Sequence, residues 1–165
     1  MIVERLQKLA TYNDWAWNHV IESVSQIPKD EFTMERPFFW GSLHGLLAHS
    51  LAAEIIWIER LNGNSPMILY GTDDFKSVEE IVDTWKEVRT RWQTYLNNLT
   101  DEQAMSICTF IGTEGNQRQC FIADIIQHVF NHATDHRSQM TPILYQLGYP
   151  TTSLDYIYFC EGCVS

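Results

Sequence analysis

The sequence predicts an all-α protein, an antiparallel four-helix bundle with one long crossover connection and a short β-hairpin before the last helix. Three observations favour this fold. Four long segments repeat their apolar residues with the period of a helix, three of these segments stop at proline or glycine, and 45% of the 165 residues are hydrophobic, enough for one buried core. We therefore expect a single domain over residues 1–165.

The helix boundaries carry signals of their own. Ser42 is a good N-cap for the second helix, and Ser77 with Glu80 forms a capping box at the start of the third. Gly63 and Gly148 stand where the second and fourth helices should stop, because glycine accepts the left-handed backbone of a helix end. The predicted helices span about residues 3–25, 42–62, 77–98 and 121–147.

The connections follow from what lies between the helices. About fourteen residues join the second and third helices, which is long enough for a crossover rather than a tight turn. Roughly twenty residues separate the third and fourth helices, and the β-prone run 106–111 before Gly112 and Gly115 favours a short hairpin. The apolar stretch 155–159 is predicted to pack on the bundle.

The charge and the apolar pattern exclude several classes of protein. The chain has 11 basic and 21 acidic residues, a net charge of −10 that repels a phosphate backbone, so we expect no nucleic-acid partner. Charges at the N-terminus and within the most apolar stretch, residues 46–61, argue against a signal peptide and a membrane span. The predicted location is the cytoplasm, with no membrane partner.

The cysteines do not form a secreted disulfide framework in a chain of this length. The spacing of Cys160 and Cys163 suits zinc or a redox pair. No second such pair exists and no strand–helix unit precedes this one, so we favour a frayed tail with two thiols. Cys108 and Cys120 are likewise interpreted as reduced thiols.

The fourth helix carries three histidines on its inner face. At about 100° per residue, His128 and His136 lie about 40° to either side of His132, and Gln139 lies about 20° from it. Neutral imidazole binds zinc, nickel, iron or copper, and two histidines at i and i+4 can share one ion. A third ligand has to come from another element, and His49 is the candidate, because small and apolar residues surround it on the second helix. Small residues beside a histidine leave space for an ion or a substrate.

A different interpretation applies to His49 taken alone, since a histidine on an apolar face is commonly a hydrogen-bonded core residue. Several buried imidazoles without partners are costly, however, because each has a donor and an acceptor to satisfy. The sequence contains no Glu-x-x-His, His-Glu-x-x-His, Gly-rich phosphate loop or Gly-x-Ser-x-Gly. A three-histidine site is the metal pattern that remains.

Four parts of the sequence carry a resemblance to a known family. They are Tyr12-Asn13-x-Trp15, then His49 with Glu54, Trp57 and Arg60, then Asn131-His132 with His136-Arg137-x-Gln139, and finally Leu154-Asp155-Tyr156. Together they resemble the DinB/YfiT-like family of metalloenzymes over nearly the whole chain. Ser138 departs from the glycine that is common there, and because serine is small this affects local packing more than metal ligation.

The resemblance implies a four-helix bundle and often a homodimer. It also implies a divalent metal ion, usually zinc or nickel, and by position the ligands are His49, His132 and His136. Three protein ligands leave one position of a tetrahedral ion for water or substrate.

The function predicted from this pattern is that of a divalent-metal-dependent enzyme. It would activate water or a small thiol cosubstrate against a small-molecule electrophile, as a thiol transferase, isomerase or hydrolase does. The alternative is a non-catalytic, metal-stabilised helical bundle that binds a small molecule or a partner protein.

Four polar residues beside the predicted ligands have open roles. Asn13 and Gln139 are predicted to face the same cavity and to bind cofactor or substrate, although Asn13 also fits a buried amide that bridges helices. His128 is either a fourth ligand or a histidine bonded to its neighbours. Asp135 either orients an imidazole or is a solvated acid, and we favour the solvated acid.

Overall fold

The computed structural model describes residues 1–162 and consists mostly of helices. Cys163 lies outside the described residues. The elements in chain order are α1 (Ile2–Val24), α2 (Lys29–Thr33), α3 (Leu43–Leu61), α4 (Val78–Asn98), α5 (Asp101–Ala104), β1 (Ile107–Ile111), β2 (Gln117–Phe121), α6 (Ile122–Gln146) and α7 (Tyr156–Gly162). The four predicted long helices correspond to α1, α3, α4 and α6. None of these described helices combines the length and the apolar character that a bilayer crossing requires.

The N-terminal caps form largely as the sequence predicts. The Gly45 N–H donates to the Ser42 hydroxyl at 2.9 Å, which caps α3. At α4 the Glu80 N–H donates to the Ser77 hydroxyl at 3.3 Å, so half of the predicted capping box is present. The other half differs, because the Glu80 carboxylate accepts from the N–H of Lys76, one residue earlier than a capping box requires.

Both predicted glycine stops are confirmed. Gly63 has φ of 87° and Gly148 has φ of 85°, conformations in which a side chain would be strained. The Gly63 N–H donates to the carbonyl of Arg60 and the Gly148 N–H to that of Tyr145, each at 3.1 Å. These bonds satisfy carbonyls that the end of each helix leaves free.

The hydrophobic core lies where the four long helices meet. Helices α1 and α3 each pack against both α4 and α6, and one continuous cluster of buried apolar side chains draws on all four. At its centre Trp17 of α1 and Trp85 of α4 contact each other with ring centroids 4.5 Å apart. Large aromatic surfaces of this kind supply much of the burial that stabilises the fold.

A chain of buried hydrogen bonds also links the four long helices. Arg137 of α6 donates to the Asn13 side-chain oxygen at 2.6 Å, and the Asn13 amide donates to Glu54 of α3 at 2.9 Å. The other carboxylate oxygen of Glu54 accepts from the indole N–H of Trp85 at 2.8 Å. Arg137, Asn13 and Glu54 are only 2%, 2% and 3% exposed, so each depends on these partners for its polar atoms. We call these four residues the polar chain.

The predicted hairpin is present as an antiparallel pair of β1 and β2 directly before α6. Its buried side chain, Phe110, packs edge-on against Trp57 of α3, with ring centroids 5.1 Å apart. The terminal apolar stretch forms α7, whose Phe159 is buried against Tyr12 of α1. Both segments therefore lie on the long helices, as the sequence predicts.

Candidate metal centre

The structure brings the three histidines predicted as ligands to one place. His49 lies on α3, and His132 and His136 lie one turn apart on α6, which packs against α3. The Nε2 atom of His132 is 3.3 Å from Nε2 of His49 and 3.0 Å from Nε2 of His136. The ligand nitrogens of all three rings lie within 4.8 Å of one another.

Hydrogen bonding alone does not account for this convergence. The Nε2 atom of a neutral imidazole either donates one proton or accepts with one lone pair, so His132 Nε2 can make only one of its two contacts a good hydrogen bond. The second ring nitrogen of His136, Nδ1, is buried with no partner among residues 1–162. Three ring nitrogens gathered this closely are instead what a metal ion held by three imidazoles requires.

The spacing of the nitrogens supplies a test of fit. Zinc–nitrogen bonds are about 2.0–2.1 Å long, so two nitrogens at a tetrahedral angle around one ion are about 3.3 Å apart. The two Nε2–Nε2 distances at His132 are 3.3 Å and 3.0 Å. Two of the three nitrogen pairs therefore match the spacing around a divalent ion, and the third pair, His49 with His136, lies within 4.8 Å.

The electrostatic environment keeps these rings neutral. Burial, followed by the neighbouring histidine rings, lowers the pKa of His49 and of His132 to about 4. Burial also lowers the pKa of His136, with Asp135 acting in the opposite direction. At neutral pH the rings are therefore in the unprotonated form that binds a metal ion.

An aromatic ring that the sequence did not point to covers one side of this centre. Trp40 stacks on His49 with ring centroids 3.6 Å apart and an angle of 19° between the rings, and its edge faces His136. The Ser42 N–H donates to the Trp40 carbonyl at 2.8 Å, which holds the segment before α3 in place. Trp40 lies two residues before the N-cap Ser42, in an irregular segment where no periodic pattern of the sequence pointed to it.

Gly45 shapes the same corner. The sequence suggested that small residues beside His49 leave room for an ion or a substrate. At Gly45 that room is taken by the chain itself, because a Cβ added there would overlap the backbone carbonyl oxygen of Trp40. Glycine is what allows the segment bearing Trp40 to approach α3 so closely.

Replacing Gly45 with alanine is expected to lower the free energy of unfolding by about 1–3 kcal/mol, since it overpacks a site bounded by backbone. Urea denaturation monitored by circular dichroism would measure the change. Helix propensity alone predicts the opposite, a gain of about 0.5–1 kcal/mol. A stabilised variant would therefore contradict the close approach of Trp40 described above.

His128 lies apart from the three converging histidines. It is exposed, its ring centroid is 5.7 Å from that of His132, and its edge meets Trp57 at 5.3 Å. It is not part of the group whose nitrogens converge within residues 1–162. The geometry thus brings three imidazoles together, and His128 takes the role of an aromatic neighbour.

The other polar residues have partners of their own. Both side-chain ends of Asn13 bond to members of the polar chain, which matches the alternative of a buried amide that bridges helices. The half-buried Gln139 donates to the exposed carboxylate of Asp135 at 3.0 Å. Cofactor binding by Asn13 and Gln139 therefore stays a prediction.

A cavity of about 670 Å³ lies elsewhere, between the ends of α3 and α4 and the start of α6. Arg91, Tyr95 and Gln103 are among its lining residues, and none of the three converging histidines is. His49 and His132 are half-buried while His136 is buried. The centre is therefore partly exposed at His49 and His132.

Comparison with known proteins identifies the family of this chain. The family model of the DinB family matches residues 1–162, a range that includes all three histidines. Protein DinB of Bacillus subtilis (strain 168) is 25% identical to this chain over 156 residues, which cover 90% of each protein. Since the match to the family extends over nearly the entire sequence, the chain belongs to the DinB family.

Proposed function

We propose that this protein is a divalent-metal-dependent enzyme whose ion is held by His49, His132 and His136. The observation that carries the proposal is the convergence of their three ring nitrogens within 4.8 Å. The proposal includes zinc or nickel as the ion, and an antiparallel four-helix bundle formed by α1, α3, α4 and α6 as the single domain that holds it.

The number of ligands favours catalysis over a purely structural ion. Structural zinc sites are closed by four protein ligands, whereas catalytic sites use three and keep one position open. Here three imidazoles converge and the fourth histidine, His128, is exposed beside Trp57. When bound, the ion supplies Lewis acidity at that open position, enough to activate water or a thiol near neutral pH.

The protein's own side chains prepare the site in three ways. Burial keeps His49 and His132 unprotonated, so the ligands do not have to lose protons when the ion binds. The stacked ring of Trp40 fixes the plane of the His49 imidazole. Trp40 and Trp57 also offer apolar faces beside the histidines, which suit the carbon skeleton of a small electrophile.

The predicted reaction is attack by water or a small thiol cosubstrate on a small-molecule electrophile. Transferase, isomerase and hydrolase chemistry all fit a three-histidine site with an open position. The homodimer and the cytoplasmic location stay predictions.

Metal content is the first test. Protein purified without a polyhistidine tag, loaded with zinc or nickel and desalted, is expected to hold about one ion per chain by elemental analysis. A protein that holds none after loading would overturn the proposal.

Turnover is the second test and separates the two candidate functions. We expect the loaded protein, and not the chelated protein, to turn over members of a panel of small thiols paired with electrophiles, or of hydrolysable esters and amides. A firmly bound ion with no turnover, together with a large fall in melting temperature on chelation, would instead support the non-catalytic bundle.

A further inference from the structure

The β-hairpin places two cysteines directly opposite each other. In the register of β1 and β2, Cys108 pairs with Cys120, so both side chains project from the same face of the two-stranded sheet. Both are free thiols and half-buried. The Cys108 sulfur lies 3.7 Å from the backbone carbonyl of Arg60, which shows that this face is turned toward α3.

The hydrogen-bond pattern of the hairpin fixes how far apart the two backbones are. The Gly112 N–H donates to the Asn116 carbonyl, and the Ile122 N–H donates to the Ser106 carbonyl. Since hydrogen-bonded and non-hydrogen-bonded pairs alternate along an antiparallel ladder, Cys108 and Cys120 form a hydrogen-bonded pair. The Cα atoms of such a pair are about 5.5 Å apart, inside the range of about 4.4–6.8 Å that disulfides span.

We propose that Cys108 and Cys120 form a reversible dithiol–disulfide site, oxidised by small disulfides through thiol exchange. The thiolate of one cysteine attacks the small disulfide, forms a mixed disulfide and releases one small thiol. The second cysteine then attacks the protein-bound sulfur of that mixed disulfide and releases the second small thiol. Two electrons and two protons pass from the protein to the small disulfide, and one sulfur–sulfur bond replaces another.

The surroundings of the pair make this disulfide easy to reverse. Opposed Cβ atoms in a sheet are about 4.5–5.5 Å apart, while a disulfide brings them to about 3.8 Å, so closure has to pull the two strands together. Strained disulfides have higher reduction potentials and are the labile ones.

Burial, followed by the neighbouring Cys120, raises the pKa of the Cys108 thiol, so closure should be faster at higher pH.

The site has a route to the candidate metal centre. Phe110, two residues from Cys108 on the same face of β1, contacts Trp57 and lies under the guanidinium of Arg60. Trp57 in turn contacts His128, one turn before His132. These contacts connect the cysteine pair to an aromatic ring beside the converging histidines. The inference about the thiols holds whether or not the protein binds an ion.

The test uses a variant that keeps only this pair, Cys160→Ser with Cys163→Ser. After incubation with excess glutathione disulfide, we expect an intact mass lower by about 2 Da and no free thiols, both reversed by dithiothreitol. When Cys120→Ser is added to this variant, the reaction is expected to stop at the mixed disulfide of Cys108 with glutathione, because the second thiol is missing. Peptide mapping of the oxidised, unsubstituted chain should also find a disulfide between Cys108 and Cys120. This second measurement tests the inference even if the substituted variant folds poorly.

Two results would overturn the inference. One is stable addition of two glutathione groups per chain without closure. The other is the persistence of both free thiols under conditions in which a small peptide thiol is fully oxidised.

Discussion

Replacing His132 with alanine is expected to abolish metal binding while leaving the fold intact. His132 is the member of the centre whose Nε2 lies near both other ring nitrogens, at 3.3 Å from His49 and 3.0 Å from His136. Without it, one imidazole remains on α6 and one on α3, too few for a site with three ligands. Removing a residue that only supports a metal ligand lowers metal affinity about 10–100-fold. Removing the ligand itself should therefore lower the affinity by more than about 100-fold.

His128→Ala is the matched control. It removes the same side chain from the same helix one turn away, at an exposed position outside the converging group. Isothermal titration with zinc should give about one site per chain for the control and none for His132→Ala, while circular dichroism confirms the helices in both. If the two variants bind zinc equally well, the ligand assignment is wrong.

Replacing Glu54 with alanine is expected to cause a large loss of stability. The two oxygens of Glu54 accept from Asn13 and Trp85, and all three side chains are buried. A buried donor left without an acceptor costs about 1–3 kcal/mol, so two such donors cost about 2–6 kcal/mol. The free energy of unfolding, from urea denaturation, measures this loss.

Two further variants define the origin of that effect. Glu87→Ala removes an exposed acid from α4 and should change stability by no more than about 0.5 kcal/mol. Glu54→Gln keeps one oxygen acceptor but presents an amide to the second donor, so its loss should be smaller than that of alanine. Burial raises the pKa of Glu54, which shows that the charged form is disfavoured there, and the glutamine variant lacks that charge. Equal losses for Glu54→Ala and Glu87→Ala would contradict the role of the polar chain.

Local chemistry allowed the helices to be predicted. The period of the apolar residues located all four long helices, and Ser42, Gly63 and Gly148 marked boundaries because one residue and its nearest neighbours decide a cap or a stop. The hairpin before α6 was predicted for the same reason, from a β-prone run and nearby glycines. At α4 the boundary was right but the partner of the Glu80 carboxylate was not, since Lys76 and Ser77 offer N–H groups one residue apart.

Contacts between distant segments were harder to predict. The spacing of His132 and His136 placed both on one face of α6, but only the packing of α3 on α6 could show that His49 reaches them. Trp40 lies in an irregular segment with no period, so its stacking on His49 left no pattern to detect. Of the polar chain, the sequence suggested only that Asn13 could be a buried amide that bridges helices. The role of Glu54 was missed, because a buried glutamate has no sequence signature and its partners, Asn13 and Trp85, lie on two other helices.

The division of the three proposed ligands between α3 and α6 would couple ion occupancy to folding thermodynamics. His49 and His132 are 83 positions apart in the chain, so their half-sites come together only when the two helices have docked. An ion that binds only the docked arrangement shifts the folding equilibrium by mass action, by about 2.7 kcal/mol when its free concentration is 100 times its Kd. The melting temperature would then depend on how much free ion surrounds the protein, and two preparations of identical sequence could differ in thermal resistance solely through their history of exposure to chelators.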